Sequence, residues 1–142
     1  GLKSLMGVKI REAMEQKIEV ILGISGEVSD LDIEPYALLS IMGVFLDNAV
    51  EAAKDVSFRE ILISFAKKDD RWNILVRNTF DLAAVDTRRI GEAGYSTKGR
   101  DRGIGLYSVK RILKNYKNVI HTTSIEEPYF IQRLEISRRG GG

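Results

Sequence analysis

Apolar and polar residues recur with two periods along this chain, and each change of period marks a new element. Apolar positions spaced by three and four residues predict helices over residues 2–16, 35–54 and 106–116. Pro35 begins the second helix, at a position where proline is well tolerated. Strict alternation predicts strands at residues 18–24, 61–65, 72–76, 119–125 and 129–136. The first strand carries apolar residues on both sides, which predicts partial burial on both faces.

The order of these elements restricts the fold. Residues 61–76 and 119–136 each form two strands joined by a short turn, an arrangement that fits a parallel doubly wound sheet badly. We therefore expect an α/β fold: a two-layer α/β sandwich with helices on one face of a mixed, mostly antiparallel sheet. The domain is expected to span residues 17–137. Residues 1–16 have no capping residue at their start and are interpreted as a linker or the end of a longer helix, and residues 138–142 as a disordered tail.

Composition narrows the possible functions. The 142 residues include no cysteine and one histidine, His121, so disulfides, thiolate metal sites and multi-histidine metal sites are excluded. Lys plus Arg (22) nearly balances Asp plus Glu (20), which disfavours a general role in binding nucleic acid or membranes. A small α/β nucleic-acid-binding domain stays open as an alternative that would need a basic face. No uninterrupted apolar run approaches the length of a membrane span, and no signal peptide is visible.

A glycine-rich segment precedes the third predicted helix. It contains four glycines and three cations within thirteen residues and ends at the helix start, Leu106. Flexible backbone, cations and a helix N-terminus together are suited to binding phosphate. The spacing matches neither a Walker A motif nor a dinucleotide-binding fingerprint. Taken alone, the segment is better explained as a surface loop with solvated charges.

A polar stripe interrupts the otherwise apolar second helix. Asn48 lies in this stripe at mid-helix, where packing favours alanine or leucine. A carboxamide oxygen is a suitable ligand for Mg²⁺, which binds few protein groups beside phosphate and water. The alternative is a buried asparagine whose hydrogen bonds are satisfied within the protein.

The two segments together resemble a known family. Asp47-Asn-Ala-x-Glu-Ala52, followed by Ser96-Thr-Lys-Gly99 and Gly103-x-Gly-Leu106, is similar to the ATP-binding catalytic domain of histidine kinases. This is the Bergerat fold of the GHKL superfamily, shared with gyrase, MutL and the anti-sigma serine kinases. Within this superfamily, the residues of the two motifs look closest to those of the AgrC-type quorum-sensing peptide-receptor kinases. The resemblance implies ATP and Mg²⁺ as ligands.

The resemblance also implies roles for particular residues. Asn48 matches the magnesium ligand and, with Glu51, is assigned to catalysis. Residues 96–102 match a hinged lid over the nucleotide, which we expect to be mobile when no nucleotide is bound. The implied nucleotide-binding residues are Asn48, Ala52, Asn78, Ser96, Thr97, Lys98, Gly99, Arg102, Gly103, Ile104, Gly105 and Leu106.

Three positions depart from the family pattern. Asn78 stands where the family has an aspartate that accepts a hydrogen bond from adenine, so we expect adenine selectivity with weaker ATP affinity. Val44 stands where hydrolases of the superfamily carry a glutamate base, which argues against vigorous ATP hydrolysis. Glu51 stands where classical kinases often have lysine, and it could bind a metal-held water, pair with a lid cation or belong to a capping network.

The implied function is transfer of the ATP γ-phosphate to a histidine outside this chain, because His121 lies in a strand pattern and is interpreted as structural. The implied partners are the dimerisation and phosphotransfer helices of the same full-length protein, whose tail residues 1–16 could form, and a response regulator. The fragment itself is expected to be monomeric, to bind no nucleic acid, and to belong to the cytoplasmic portion of a membrane-bound kinase. Two alternatives are a serine kinase of the anti-sigma type and a nucleotide-sensing module without turnover.

Overall fold

The protein is described by a computed structural model over residues 1–85 and 100–139, with the backbone alone described at residues 100–105. Three helices and five strands follow one another in this part of the chain. They are α1 (Leu2–Glu15), β1 (Glu19–Ser25), α2 (Pro35–Lys54), β2 (Glu60–Lys68), β3 (Arg71–Thr79), α3 (Arg100–Leu113), β4 (Val119–Glu126) and β5 (Tyr129–Ile136). Short 3₁₀ turns lie at Val28–Asp30 and Leu82–Ala84.

The five strands form one mixed sheet in the order β1-β2-β3-β5-β4. β1 pairs with β2 in parallel, and the other three pairings are antiparallel. The parallel pair is possible because the connection from β1 to β2 contains α2, which crosses one face of the sheet. The predicted two-layer α/β sandwich with a mixed, mostly antiparallel sheet is therefore confirmed.

The core lies between α2 and one face of the sheet. Burial alternates along β2 and β3, so every second side chain points to the helices and the others face away. α2 contributes seven buried residues: Leu38, Ile41, Met42, Phe45, Leu46, Ala49 and Ala53. Its predicted start at Pro35 is confirmed, because proline's missing N–H costs nothing in the first turn. α1 and α3 pack on either side of α2 and complete the helical layer.

α2 also has the length and hydropathy of a membrane span, with 20 residues and a mean hydropathy of 1.3 over its most apolar window. In this structure its apolar residues contact the sheet and the two other helices. Burial of these residues inside the protein therefore accounts for the apolar composition of α2.

The third helix differs from its prediction at both ends. α3 begins at Arg100 and ends at Leu113, whereas the apolar pattern predicted residues 106–116. Charged residues and glycines dominate the first six positions, so the apolar period gives no sign of a helix there. Tyr116 lies in the turn after the helix, with its N–H bonded to the Leu113 carbonyl at 3.0 Å. Gly103 and Gly105 are thus helical residues rather than a loop edge.

The first strand is much more exposed than predicted. β1 is an edge strand, and Ile21, Leu22 and Ile24 are 41–50% exposed. The predicted partial burial of β1 on both faces is therefore wrong. The helical layer covers the beginning of β1 and leaves its end open. A strand's apolar content cannot distinguish a central position from an edge position in the sheet.

Candidate functional site

A pocket with a cavity volume of about 30 Å³, open to solvent on one side, lies between the helical layer and the sheet. α2 forms one wall, and the ends of β3 and β5 form the floor. Leu106 of α3 closes one side. The residues that line it are Phe45, Asn48, Ala52, Asn78, Phe80, Leu106, Phe130 and Gln132. The pocket is therefore mostly apolar with three carboxamides, a combination typical of sites for small polar ligands with a flat ring.

The α2 wall follows from helical spacing. Phe45, Asn48 and Ala52 are three and four residues apart, so they share one face of the helix. Phe45 is buried beneath the pocket, Asn48 is half-buried, and the small Ala52 leaves room beside it. Asn48 thus contributes a carboxamide side chain to the lining of the pocket.

The site suits a metal that is held mainly by its ligand. Among residues 1–85 and 106–139, no three acidic or histidine side chains form a group able to hold a metal ion. Asn48 offers a single neutral oxygen. Mg²⁺ commonly takes one or two protein oxygens and completes its shell with phosphate and water. The donor set fits magnesium bound together with a phosphorylated ligand, with Asn48 as the protein group that would hold it.

Asn78 forms the floor of the pocket with a fixed orientation. Its side chain is 4% exposed, and its amide nitrogen donates to the Thr79 carbonyl at 3.0 Å. The amide oxygen has no hydrogen-bond partner among the described residues, and it is not fully enclosed by protein. Asn78 therefore presents a hydrogen-bond acceptor to whatever occupies the pocket.

Gln132 lies beside Asn78 on the neighbouring strand and is also 4% exposed. Its amide oxygen accepts a hydrogen bond from the Thr123 hydroxyl at 2.7 Å, and His121 Nε2 lies 2.6 Å from the same oxygen. The His121 ring contacts Phe45, with a centroid distance of 5.3 Å. Burial lowers the pKa of His121 below its usual value, and the nearby positive charge of Lys110 lowers it further against the opposing effect of Gln132. His121 is therefore neutral at pH 7 and bonded into a strand, in agreement with its predicted structural role.

Two phenylalanines complete the floor. The rings of Phe80 and Phe130 meet edge to face with centroids 5.6 Å apart. Phe80 follows the end of β3, where its backbone N–H bonds to the Pro128 carbonyl at 3.2 Å. The aromatic pair gives the pocket an apolar surface on the side of the sheet.

The structure brings together some of the residues that the sequence singled out. Asn48, Ala52, Asn78 and Leu106 line the same pocket although they come from three different elements. Glu51 is not among the described residues of the lining, and its carboxylate pairs with Lys54 at 3.3 Å. Ser96, Thr97, Lys98 and Gly99, and with them most of the expected lid, lie outside the described residues. Arg102, Gly103, Ile104 and Gly105 lie in α3, where the structure describes the backbone alone.

Four lining residues were not predicted: Phe45, Phe80, Phe130 and Gln132. One signal in the sequence could have identified Gln132. It occupies an inward position of β5, in register with Phe130 and Leu134, where a polar residue is unexpected. The phenylalanines gave no such signal, because apolar residues at those positions are equally explained by the core.

Comparison with known proteins identifies the family and the fold of this chain. A family model described as "GHKL domain" matches residues 33–137, well over half of the chain. Sensor protein CitS of Bacillus subtilis (strain 168) is 33% identical over 107 residues, which is 72% of this chain and 19% of that protein. The chain thus spans about a fifth of the length of this curated relative.

Solved structures share the fold at low sequence identity. The nucleotide-free catalytic domain of histidine kinase ThkA superposes with a TM-score of 0.77 at 15% identity, covering 95% of this chain and 90% of that one. Full-length ShkA in complex with AMPPNP gives a TM-score of 0.68 at 17% identity, covering 95% of this chain and 28% of that one. The predicted superfamily is confirmed, whereas the AgrC-type subfamily stays a prediction. The chain therefore belongs to the GHKL domain family and has the fold of sensor histidine kinase catalytic domains.

Proposed function

We propose that this domain is the ATP-binding catalytic domain of a sensor histidine kinase and transfers the γ-phosphate of ATP to a histidine outside this chain. The observation that carries the proposal is the pocket itself. It places Asn48, Asn78 and an aromatic floor around a space suited to a purine ring. Membership of the GHKL family supports ATP as the nucleotide.

Each end of the nucleotide would meet a different part of the site. The adenine ring lies over Phe80 and Phe130, and its exocyclic amine donates to the Asn78 oxygen. The triphosphate extends past Asn48 toward the N-terminal part of α3. There the helix N-terminus would offset part of its charge. Lys98 and Arg102 are proposed as further cations for the phosphates because of their positions in the family motif. Asn48 would hold the magnesium ion, which neutralises charge on the phosphates when bound.

Phosphoryl transfer requires little covalent chemistry from the protein itself. A histidine nitrogen attacks the γ-phosphorus, the bond to the bridging oxygen breaks, and ADP departs with the bonding electrons. The domain positions the nucleotide and stabilises charge. Val44, one turn before Asn48 on α2, offers no group that could activate water, so the phosphate is retained for the histidine.

The acceptor histidine belongs to another part of the full-length protein. His121 is bonded to Gln132, packed against Phe45 and set in a strand, so it is not free to act as the nucleophile. We infer that paired dimerisation helices present the acceptor, that α1 belongs to the segment leading from them, and that a response regulator takes the phosphate onward. We further infer a cytoplasmic position in a membrane-bound receptor of the AgrC type, for which the resemblance of the motifs around Asn48 and Gly103 is the supporting feature.

The proposal is tested in the full-length kinase with γ-labelled ATP and Mg²⁺. We expect phosphate that is labile in acid and stable in base, the behaviour of phosphohistidine. Asn48→Ala should lower labelling by about a hundredfold or more, since a metal contact contributes several kcal/mol to stabilising the transition state. The matched control Asn73→Ala, on the exposed face of β3, should label normally.

Two results would contradict the proposed function, and a third would contradict only the affinity expected at position 78. Acid-stable phosphate on a partner protein would identify a serine kinase instead. Nucleotide binding without any labelling would identify a sensing module. A dissociation constant for ATP in the low-micromolar range or tighter would contradict the weaker affinity expected from an uncharged acceptor at position 78.

A further inference from the structure

A row of polar side chains crosses three adjacent strands beneath the pocket, and the proposed function uses only its first member. Asn78 lies on β3, Gln132 on β5, and Thr123 with His121 on β4. Thr123 and Gln132 are direct register partners, so their side chains are on the same face of the sheet. Gln132 pairs with Val76, two residues before Asn78, which makes Gln132 and Asn78 diagonal neighbours.

The amide of Gln132 is held in one orientation. Two groups from β4 converge on its oxygen: the Thr123 hydroxyl donates at 2.7 Å, and His121 Nε2 lies at 2.6 Å, where the tautomer protonated at Nε2 donates to the same oxygen. With both groups donating, a half-turn of the amide would turn its NH₂ toward their hydrogens. The oxygen is thereby committed to the protein on the side of β4.

The nitrogen of the same amide is left for a ligand. Among the described residues it has no hydrogen-bond partner, and it is not among the polar atoms that are fully enclosed without one. Since Gln132 lines the pocket, the nitrogen reaches its open space. A donor therefore stands beside the acceptor that Asn78 presents, and Asn78 is fixed by its own bond to the Thr79 carbonyl.

This pair of groups matches one edge of adenine. Along that edge the exocyclic amine is a donor and the adjacent ring nitrogen, N1, is an acceptor, which complements the Asn78 oxygen and the Gln132 N–H. Guanine presents the reverse order, a carbonyl oxygen and a protonated N1. Both amides would have to rotate to receive guanine. Rotation of Asn78 would break its bond to the Thr79 carbonyl, and rotation of Gln132 would require Thr123 and His121 to accept instead of donate.

We propose that Gln132 is a specificity-determining residue that donates a hydrogen bond to N1 of adenine, and that Thr123 and His121 are positioning residues that keep its amide in the donating orientation. The inference rests on the proposed function, because it assumes that a purine nucleotide occupies the pocket. It assigns base recognition to two fixed carboxamides on neighbouring strands.

The decisive experiment changes the ligand and leaves the protein intact. Isothermal titration of the wild-type chain compares Mg-ATP with 1-deaza-ATP, in which a C–H replaces N1, and with 7-deaza-ATP as a control at a distant ring position. We expect 1-deaza-ATP to bind about tenfold more weakly, because the Gln132 N–H would be buried without a partner. The control nucleotide should bind within about twofold of ATP.

A variant then assigns the effect to Gln132. Gln132→Met keeps a similar volume and removes the donor. It should bind ATP about tenfold more weakly and no longer distinguish ATP from 1-deaza-ATP. Thr123→Val should reduce the preference for ATP over GTP. Thr122→Val, the neighbouring exposed threonine on the opposite face of β4, is its matched control and should leave that preference unchanged.

The outcomes separate this proposal from the function on which it rests. Wild-type protein that binds no Mg-ATP would overturn both. Wild-type protein that binds ATP and 1-deaza-ATP equally would overturn the role of Gln132 and leave ATP binding standing. A Gln132→Met protein that weakens all three nucleotides equally would show a structural role instead. Should that variant fail to fold, the comparison of nucleotides on the wild type still decides.

Discussion

Asn78 combines two functions that a carboxylate at the same position would bring into conflict. Its nitrogen donates to the Thr79 carbonyl, and its oxygen is left for the ligand. An aspartate would keep the acceptor but lose the donor, and its second oxygen would lie against the carbonyl. At 4% exposure, neither water nor solvent screening would relieve that contact.

We therefore expect Asn78→Asp to lower the free energy of unfolding by about 1–3 kcal/mol, the cost of leaving a buried hydrogen-bonding group unsatisfied. Urea denaturation in the absence of nucleotide measures this difference. Asn73→Asp lies on the exposed face of the same strand and should change stability by less than about 0.5 kcal/mol. Equal stability of the two variants would contradict the importance of the bond to Thr79.

The lowered pKa of His121 predicts how the free energy of unfolding depends on pH. Burial lowers its pKa in the folded protein, whereas in the unfolded chain it titrates near the usual 6.5. As pH falls below about 6.5, the unfolded chain takes up the proton first, so the free energy of unfolding decreases until the folded pKa is passed. His121→Gln removes this titration while keeping a neutral donor toward Gln132.

Urea denaturation at intervals between about pH 7.5 and 5.5 should show a steeper loss of stability in the wild type than in His121→Gln. Parallel pH profiles for the two proteins would mean that His121 titrates alike in the folded and unfolded states.

At the scale of elements, adjacent strands differ sharply in how their apolar residues are used. Leu22 on β1 and Ile63 on β2 are register partners on the same face of the sheet. Leu22 is 43% exposed, whereas Ile63 is 1% exposed and lies under α2. The helical layer covers β2 fully and leaves the end of the edge strand open. Apolar residues that look alike in the sequence therefore contribute differently to the free energy of folding in the two strands.

Ile63→Thr should therefore lower the free energy of unfolding by about 2–4 kcal/mol, through lost apolar burial and an enclosed hydroxyl. Leu22→Thr should lower it by less than about 1 kcal/mol, because half of that side chain is already in water. Thermal and urea denaturation of the two variants side by side provide the measurement. A similar loss in both would show that the end of β1 is covered in solution.

α2 carries the site because it is both the central core helix and one wall of the pocket. Asp47, next to Asn48, forms an ion pair with Lys9 of α1 at 2.6 Å. The hydrogen bond that Lys9 donates to Asp47 is the main cause that raises the pKa of Lys9. The helix that presents Asn48 is thus fixed on one side by the sheet and on the other by α1.

At the scale of the whole molecule, the described lining of the pocket contains carboxamides and apolar side chains, and none of these lining residues is a base that could activate water. We expect the chain to bind Mg-ATP with negligible steady-state release of phosphate, because Val44 cannot activate water. Phosphate release over several hours measures this, and Val44→Ala should be equally inactive. Substantial turnover by the wild-type chain would contradict the assignment of Val44 and favour a hydrolase.

The same reasoning predicts that the chain does not label itself with γ-labelled ATP. Its single histidine is held by Gln132 and Phe45 at the edge of the sheet. Acid-labile label on the chain that disappears in His121→Gln would show that His121 is accessible as an acceptor after all.

The sequence by itself determined the elements whose signals are local. Pro35 marked the start of α2, alternation marked both hairpins, and the motifs around Asn48 and Gly103 indicated the family. These features are readable because helical and strand periods, and the chemistry of a short motif, depend on near neighbours in the chain. The predicted residues Asn48, Asn78 and Leu106 do meet in one pocket.

The tertiary structure alone decided where the strands lie and which of their side chains meet. The exposure of β1 depends on how far the helical layer extends, and the early start of α3 lies in residues without an apolar pattern. Gln132 enters the pocket because β5 is inserted between β3 and β4. Its amide is oriented by residues of a different strand, and such contacts between distant parts of the chain leave no periodic signal in the sequence.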